Sequence, residues 1–158
     1  MDELMRYIQF EDYEKFGFEQ ILNKKIMITK NHFEKINFNL CYDEEINIIN
    51  LLEKYGYIFT DDDYIFIIND SPCSFAYIPE NKRTIELCKI VVQKRGDMLY
   101  HVSENKKTDE ICKIAVQQNG YALAYVPENK KTYEICKIAV QQNRSALQFV
   151  PENIINIL

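Results

Sequence analysis

The sequence predicts a mainly α fold, an αα solenoid of 24-residue helix–turn–helix repeats with a non-repeat N-terminal cap. Three observations lead there. The first is a block that recurs at a fixed step: TIELCKIVVQKRGDMLYHVSENKK (Thr84–Lys107), TDEICKIAVQQNGYALAYVPENKK (Thr108–Lys131) and TYEICKIAVQQNRSALQFVPEN (Thr132–Asn153). One step back, Thr60 opens a degenerate copy, TDDDYIFIINDSPCSFAYIPENKR. Self-similarity of this length marks units that bury their apolar faces only against their neighbours. The second observation is a helix in the first half of each copy. Thr132 supplies a capping hydroxyl and Glu134 an acid in the first turn. Ile135, Cys136, Ile138, Ala139 and Val140 then cover about 200° of the helix at ~100° per residue, wide enough to be covered on two sides. That reading buries Ile114 and Ile138 between repeats. Gly120 is read as the residue that stops the preceding helix. The third observation is a second half, Ser145–Val150, long enough for only one or two turns and ended by Pro151, as Pro127 and Pro79 end theirs.

Residues 60–158 are therefore read as repeats starting at 60, 84, 108 and 132, and residues 1–59 as the capping region. Within the cap, Asp2 to Phe16 fits a first helix. Lys25–Thr29 with Phe33–Leu40 fits a short hairpin. Asp43–Tyr55 fits a helix capped by Asp43 and stopped by Gly56. Ile154–Leu158 closes the last repeat.

An apolar helix ending Ala-Val-Gln-Gln-Asn-Gly, followed by Ala-Leu-x-Tyr-Val, resembles the repeats grouped as domain of unknown function 4116. Those repeats occur in proteins of large DNA viruses and of bacteria, often in long arrays. The resemblance runs from Thr60 to Asn153 and is best in the last three copies. It implies a helical repeat and brings no catalytic residues with it.

Composition excludes several classes. At 158 residues with 47% hydrophobic content the chain can bury a core. It has no apolar run long enough to span a membrane. Its N-terminus lacks the basic region of a signal peptide, so a cytoplasmic protein is expected, in the host's cytoplasm if it is viral. Five cysteines (Cys41, Cys73, Cys88, Cys112, Cys136) without CxxC spacing read as small apolar residues of a reducing compartment. Helices ~8–10 Å apart place successive thiols too far apart for a shared metal with ~2.3 Å zinc–sulfur bonds. His101 falls in the column of Tyr77, Tyr125 and Phe149, so it reads as a packing variant, and His32 stands apart from it. No nucleophile motif, phosphate loop or metal spacing accompanies either. No catalytic residue, metal or cofactor is expected, and the protein is not read as an enzyme.

Charge separates along the chain. Residues 1–78 hold 7 Lys and Arg against 15 Asp and Glu, whereas residues 79–158 hold 12 against 9. The acidic half suits a protein partner, a basic nucleic-acid-binding protein among them, steered by Asp43, Glu44, Asp61, Asp62 and Asp63. Tyr55, Tyr57 and Phe59 would anchor it. The alternative partner is RNA or another nucleic acid. It would lie along a column of paired bases, Lys82–Arg83, Lys106–Lys107 and Lys130–Lys131, stacked at about 10 Å steps. Scarce arginine and an acidic total of −5 weigh against it. The expectation is thus a non-catalytic protein–protein interaction module. Its specific form would be a virus- or phage-encoded stoichiometric inhibitor of a host enzyme or defence nuclease, such as a CRISPR effector.

Overall fold

A threonine opens every helix of the repeat. Thr84, Thr108 and Thr132 each sit in extended backbone and accept a hydrogen bond from the amide three residues on, at 3.2–3.3 Å. That satisfies one of the donors a helix start leaves open. The computed structural model describes Ile49, Glu53 and Tyr57–Leu158. The expected first helix, the hairpin and most of the Asp43–Tyr55 helix lie outside the described residues, although Ile49 and Glu53 are helical and Ile49 is buried.

The chain divides into two units, Met1–Tyr77 and Ile78–Leu158. In the first, Thr60 caps helix α1 (Asp61–Asp70) through a full capping box. The Thr60 amide donates to Asp63 Oδ2 at 2.8 Å, and the Asp63 amide returns a bond to the Thr60 hydroxyl at 3.3 Å. Tyr64, Ile67 and Ile68 form the buried face, and a 3₁₀ helix, Pro72–Tyr77, adds Phe75.

The second unit contains helices α2 (Ile85–Lys94), α3 (Asp109–Gln118), α4 (Tyr133–Gln142) and the single turn α5 (Glu152–Ile155). After α2, α3 and α4 comes a six-residue 3₁₀ helix: Gly96–His101, Gly120–Tyr125 and Arg144–Phe149. Shorter 3₁₀ turns, Glu80–Lys82, Glu104–Lys106 and Glu128–Lys130, lead into the next threonine. Among the described residues there is no strand. Helix α2 packs on α3 and α3 on α4, and α3 and α4 each pack on the six-residue 3₁₀ helices of their own and the preceding copy, so the helices stack in successive pairs as a helical repeat.

The core repeats by column. Leu87, Cys88, Val91 and Val92 of α2 correspond to Ile111, Cys112, Ala115 and Val116 of α3, and all are buried. Those four positions span only about 140° at ~100° per residue. Ile114 and Ile138 lie just beyond that arc and are half-buried, which corrects the expectation that they are enclosed between repeats.

The glycines also differ from expectation. Each helix ends at an extended residue, Arg95, Asn119 or Asn143, whose amide bonds back to Val91, Ala115 or Ala139 at 2.8 Å. Gly120 is instead needed because a Cβ there would lie 2.2 Å from the Ala139 carbonyl oxygen, and one at Gly96 would lie 2.3 Å from that of Ala115. The next helix presses directly on these backbones.

Candidate interaction surfaces

The loop edge of the second unit grows from a Glu-Asn-Lys turn that repeats in register. Its 3₁₀ bonds run from Lys82 to Pro79, Lys106 to Ser103 and Lys130 to Pro127, at 2.8–2.9 Å. The turn aims the second base of each pair inward. Arg83 donates to the carbonyls of Ile78 at 2.7 Å and His101 at 2.8 Å. Lys107 donates to Glu104 at 2.6 Å and to the Tyr125 carbonyl at 2.9 Å. Lys131 pairs with Glu128. Arg83 and Lys107 thereby tie one copy to the next through a main-chain carbonyl. The first bases reach other partners: Lys106 bonds the Glu80 main-chain carbonyl at 2.9 Å with the Glu80 carboxylate 3.8 Å away, and Lys130 pairs with Asp109 at 2.6 Å. The position of Asp109 is Ile85 in the copy before, so Lys106 turns to Glu80.

The bases thus form one column, as the repeat implies, but they do not dominate its outer surface. Arg83, Lys107 and Lys131 are 14%, 7% and 8% exposed at the side chain, while their partners Glu80, Glu104 and Glu128 are 60%, 72% and 76% exposed. Lys130 at 28% likewise lies under Asp109 at 79%. Lys82 stands exposed. A second ladder joins helix to helix, with Lys89–Glu110 at 2.8 Å and Lys113–Glu134 at 2.6 Å. The Glu110 hydrogen bond raises the pKa of Lys89, that of Asp109 raises Lys130, and that of Lys113 lowers Glu134. An open cleft of about 390 Å³ lies at the N-terminal ends of α3 and α4, lined by Asp109, Glu110, Lys113, Thr132, Glu134 and Ile135.

In the first unit Asp61 and Asp62 are exposed in the first turn of α1. Asp63 is buried in the capping box and presents no charge to a partner. Tyr57 is buried, and Phe59 is half-buried and stacks on Tyr64 at 5.1 Å with planes 10° apart. These two rings belong to the packing, which corrects their assignment as exposed anchors. Burial, then Glu53, Asp61 and Asp63, push the Tyr64 hydroxyl up to about 12. Asp43, Glu44 and Tyr55 lie outside the described residues.

Two features of the second unit went unread in the sequence. Tyr100 and Tyr121 are exposed, and they lie 5.3 Å from the Tyr125 ring and 4.8 Å from the Phe149 ring respectively. They flank the half-buried column of His101, Tyr125 and Phe149. Burial, reinforced by Arg83, lowers the pKa of His101. The other feature is a glutamine clamp. Gln118 accepts from the Gly96 amide at 2.6 Å and donates to the Lys94 carbonyl at 3.2 Å. Gln142 repeats this on Gly120 at 2.5 Å and on the Gln118 carbonyl at 3.4 Å. The signal was present, since these glutamines recur with the period and each pairs with a glycine one copy earlier.

Cys88, Cys112 and Cys136 are buried as expected, and Cys73, Cys88, Cys112 and Cys136 are free thiols. Burial raises all three ladder thiols, Cys112 to about 11. Among the described residues no group of three or more His, Cys, Asp or Glu side chains could hold a metal ion. No described helix is long and apolar enough to cross a membrane.

The stack of like units, fastened by threonine caps and side-chain ladders, defines a helical-repeat protein. The family described as Domain of unknown function (DUF4116) matches the chain twice in tandem, over residues 84–129 and 108–155. The matches begin at the second copy and cover the three that repeat most closely. No curated protein and no solved structure matches the chain.

Proposed function

We propose that this protein is a non-catalytic protein–protein interaction module whose partner is basic. One observation carries the reading: along the loop edge the carboxylates stand outward and the bases lie beneath them, hydrogen-bonded to carbonyls and acids. A polyanion approaching that edge meets Glu80, Glu104, Asp109 and Glu128 first. A cationic protein surface meets complementary charge, which steers association and selects partners. In the first unit, taken by itself, Asp61 and Asp62 are exposed acids in the first turn of α1. The free thiols agree with a reducing cytoplasm. In its finer form the proposal is a stoichiometric inhibitor, virus- or phage-encoded, of a host enzyme or defence nuclease with a basic groove. Its motive is the charge polarity of the sequence.

The test is affinity capture from the native host, with and without nuclease, alongside two charge-reversed variants of the bait. Asp61/Asp62→Lys leaves the Thr60–Asp63 cap intact, and Lys82→Glu changes the exposed base. Protein partners should survive nuclease, weaken with the first variant and persist with the second. Partners lost on nuclease treatment, or weakened only by Lys82→Glu, overturn the reading in favour of nucleic acid along the basic column.

A further inference from the structure

The joint between α3 and its 3₁₀ helix carries a chemically reactive pair. Of the chain's four glycines only Gly120 follows an asparagine. In an Asn–Gly pair the glycine nitrogen can attack the asparagine side-chain carbonyl carbon, because no Cβ crowds the approach. A bond forms between that nitrogen and Cγ, the side-chain nitrogen leaves as ammonia, and a succinimide ring results. Water then opens the ring at either carbonyl, giving aspartate or isoaspartate. The matching pairs of the neighbouring copies lack this chemistry or hinder it. Arg95–Gly96 has no side-chain amide, and in Asn143–Arg144 the attacking residue carries a long side chain.

The fold holds Asn119 and Gly120 in a conformation that does not react. Ring closure needs the Gly120 nitrogen eclipsed with the Asn119 Cα–Cβ bond. Asn119 has φ −146° and ψ 108°, and at an L residue that ψ turns the next nitrogen far away from Cβ. Three hydrogen bonds fix the angle. The Asn119 amide bonds the Ala115 carbonyl at 2.8 Å, the Tyr121 amide donates to Asn119 Oδ1 at 3.0 Å, and the Gly120 amide donates to Gln142 Oε1 at 2.5 Å. The first two are local to one copy. The third comes from α4, whose Ala139 carbonyl also presses on the buried Gly120 and leaves its nitrogen no room to swing round. The attacking group is free only when α4 lifts from this joint.

We infer that Asn119 is a modification site gated by the neighbouring repeat: it stays asparagine while the Gln142–Gly120 bond is closed, and converts to aspartate or isoaspartate, with loss of ammonia, when that bond opens. Isoaspartate puts an extra carbon into the main chain at a joint too tight for a Cβ, so a joint that has reacted cannot close as before. None of this depends on the partner proposed above. The test incubates the full chain at mildly alkaline pH and follows Asn119 by peptide mass spectrometry, reading the mass gain of an amide turned acid. Native protein should react at least about tenfold more slowly than the same chain unfolded in urea, because local opening is a minor state. Gln142→Met should speed the native reaction by about tenfold. Gln118→Met cuts the same clamp at Gly96 instead; it controls for general loosening and should leave the rate near that of the unaltered protein. Should Gln142→Met fail to fold, the comparison of native with urea-unfolded protein decides. Equal rates in native and unfolded chain, no acceleration in folded Gln142→Met, or equal acceleration by both variants would overturn the inference.

Discussion

At Gly120 the missing Cβ is a matter of distance rather than of backbone angle. An added methyl would lie 2.2 Å from the Ala139 carbonyl oxygen, 2.8 Å from the Gln142 side chain and 3.0 Å from Asn143. A glycine-to-alanine change at a compatible site stabilises a fold by about 0.4–1 kcal/mol through the unfolded chain. Here the sign should reverse, since overpacking costs about 1–3 kcal/mol or more. Gly120→Ala should therefore lower the urea midpoint, and a midpoint that rises would show that the two copies are not pressed together at this carbonyl. This close contact was not legible in the sequence. A glycine after a helix has an ordinary reading as a stop, and only the position of the neighbouring copy shows the other. The buried cysteine column was legible, because a residue repeated at the period on an apolar arc has few other uses. The same arc suggested Ile114 and Ile138 as buried, and the structure leaves both at its margin.

At the scale of an element, two kinds of bond join each helix to the next, and they should differ in weight. Gln142 holds the buried Gly120 amide and the Gln118 carbonyl, both of them main-chain groups. Removing that side chain leaves a buried amide unsatisfied, which costs about 1–3 kcal/mol. Lys113–Glu134 lies in solvent, with side chains 45% and 69% exposed, and such pairs contribute from about 0 to 1 kcal/mol. Gln142→Met should thus destabilise clearly more than Lys113→Met, measured by urea unfolding of each variant. Equal losses would mean that the ion-pair ladder, not the clamp, fastens the copies. The sequence showed that bases recur in pairs, and it implied a positive edge. It could not show that Arg83 and Lys107 would each find a carbonyl 18 residues ahead, because that carbonyl belongs to the next copy's neighbouring turn. Threonine caps, by contrast, act within four residues and were readable from Thr84, Thr108 and Thr132 alone.

Over the whole second unit, stability should fall off towards the last copy. Helix α3 has a neighbour on each side, while α4 leaves Val140 and Leu147 half-buried. In a stack whose stability is a sum over neighbouring contacts, the end opens first. Amide hydrogen exchange followed by mass spectrometry should show α4 exchanging before α3 in dilute protein, and equal protection of the two would contradict it. The glutamine clamp also sets the step in which this chain can change length. Gly96 meets Gln118, and Gly120 meets Gln142, each 22 residues on. Excising Thr108–Lys131 as one block would bring Gln142 to the same distance from Gly96, with the threonine cap, the cysteine and the inward base all restored to their places. A deletion of any other length inside a copy would set every later rung out of register with the one before. Such a chain grows or shrinks by whole rungs, as a rack does by whole teeth, and single-residue insertions should be found only in the exposed turns.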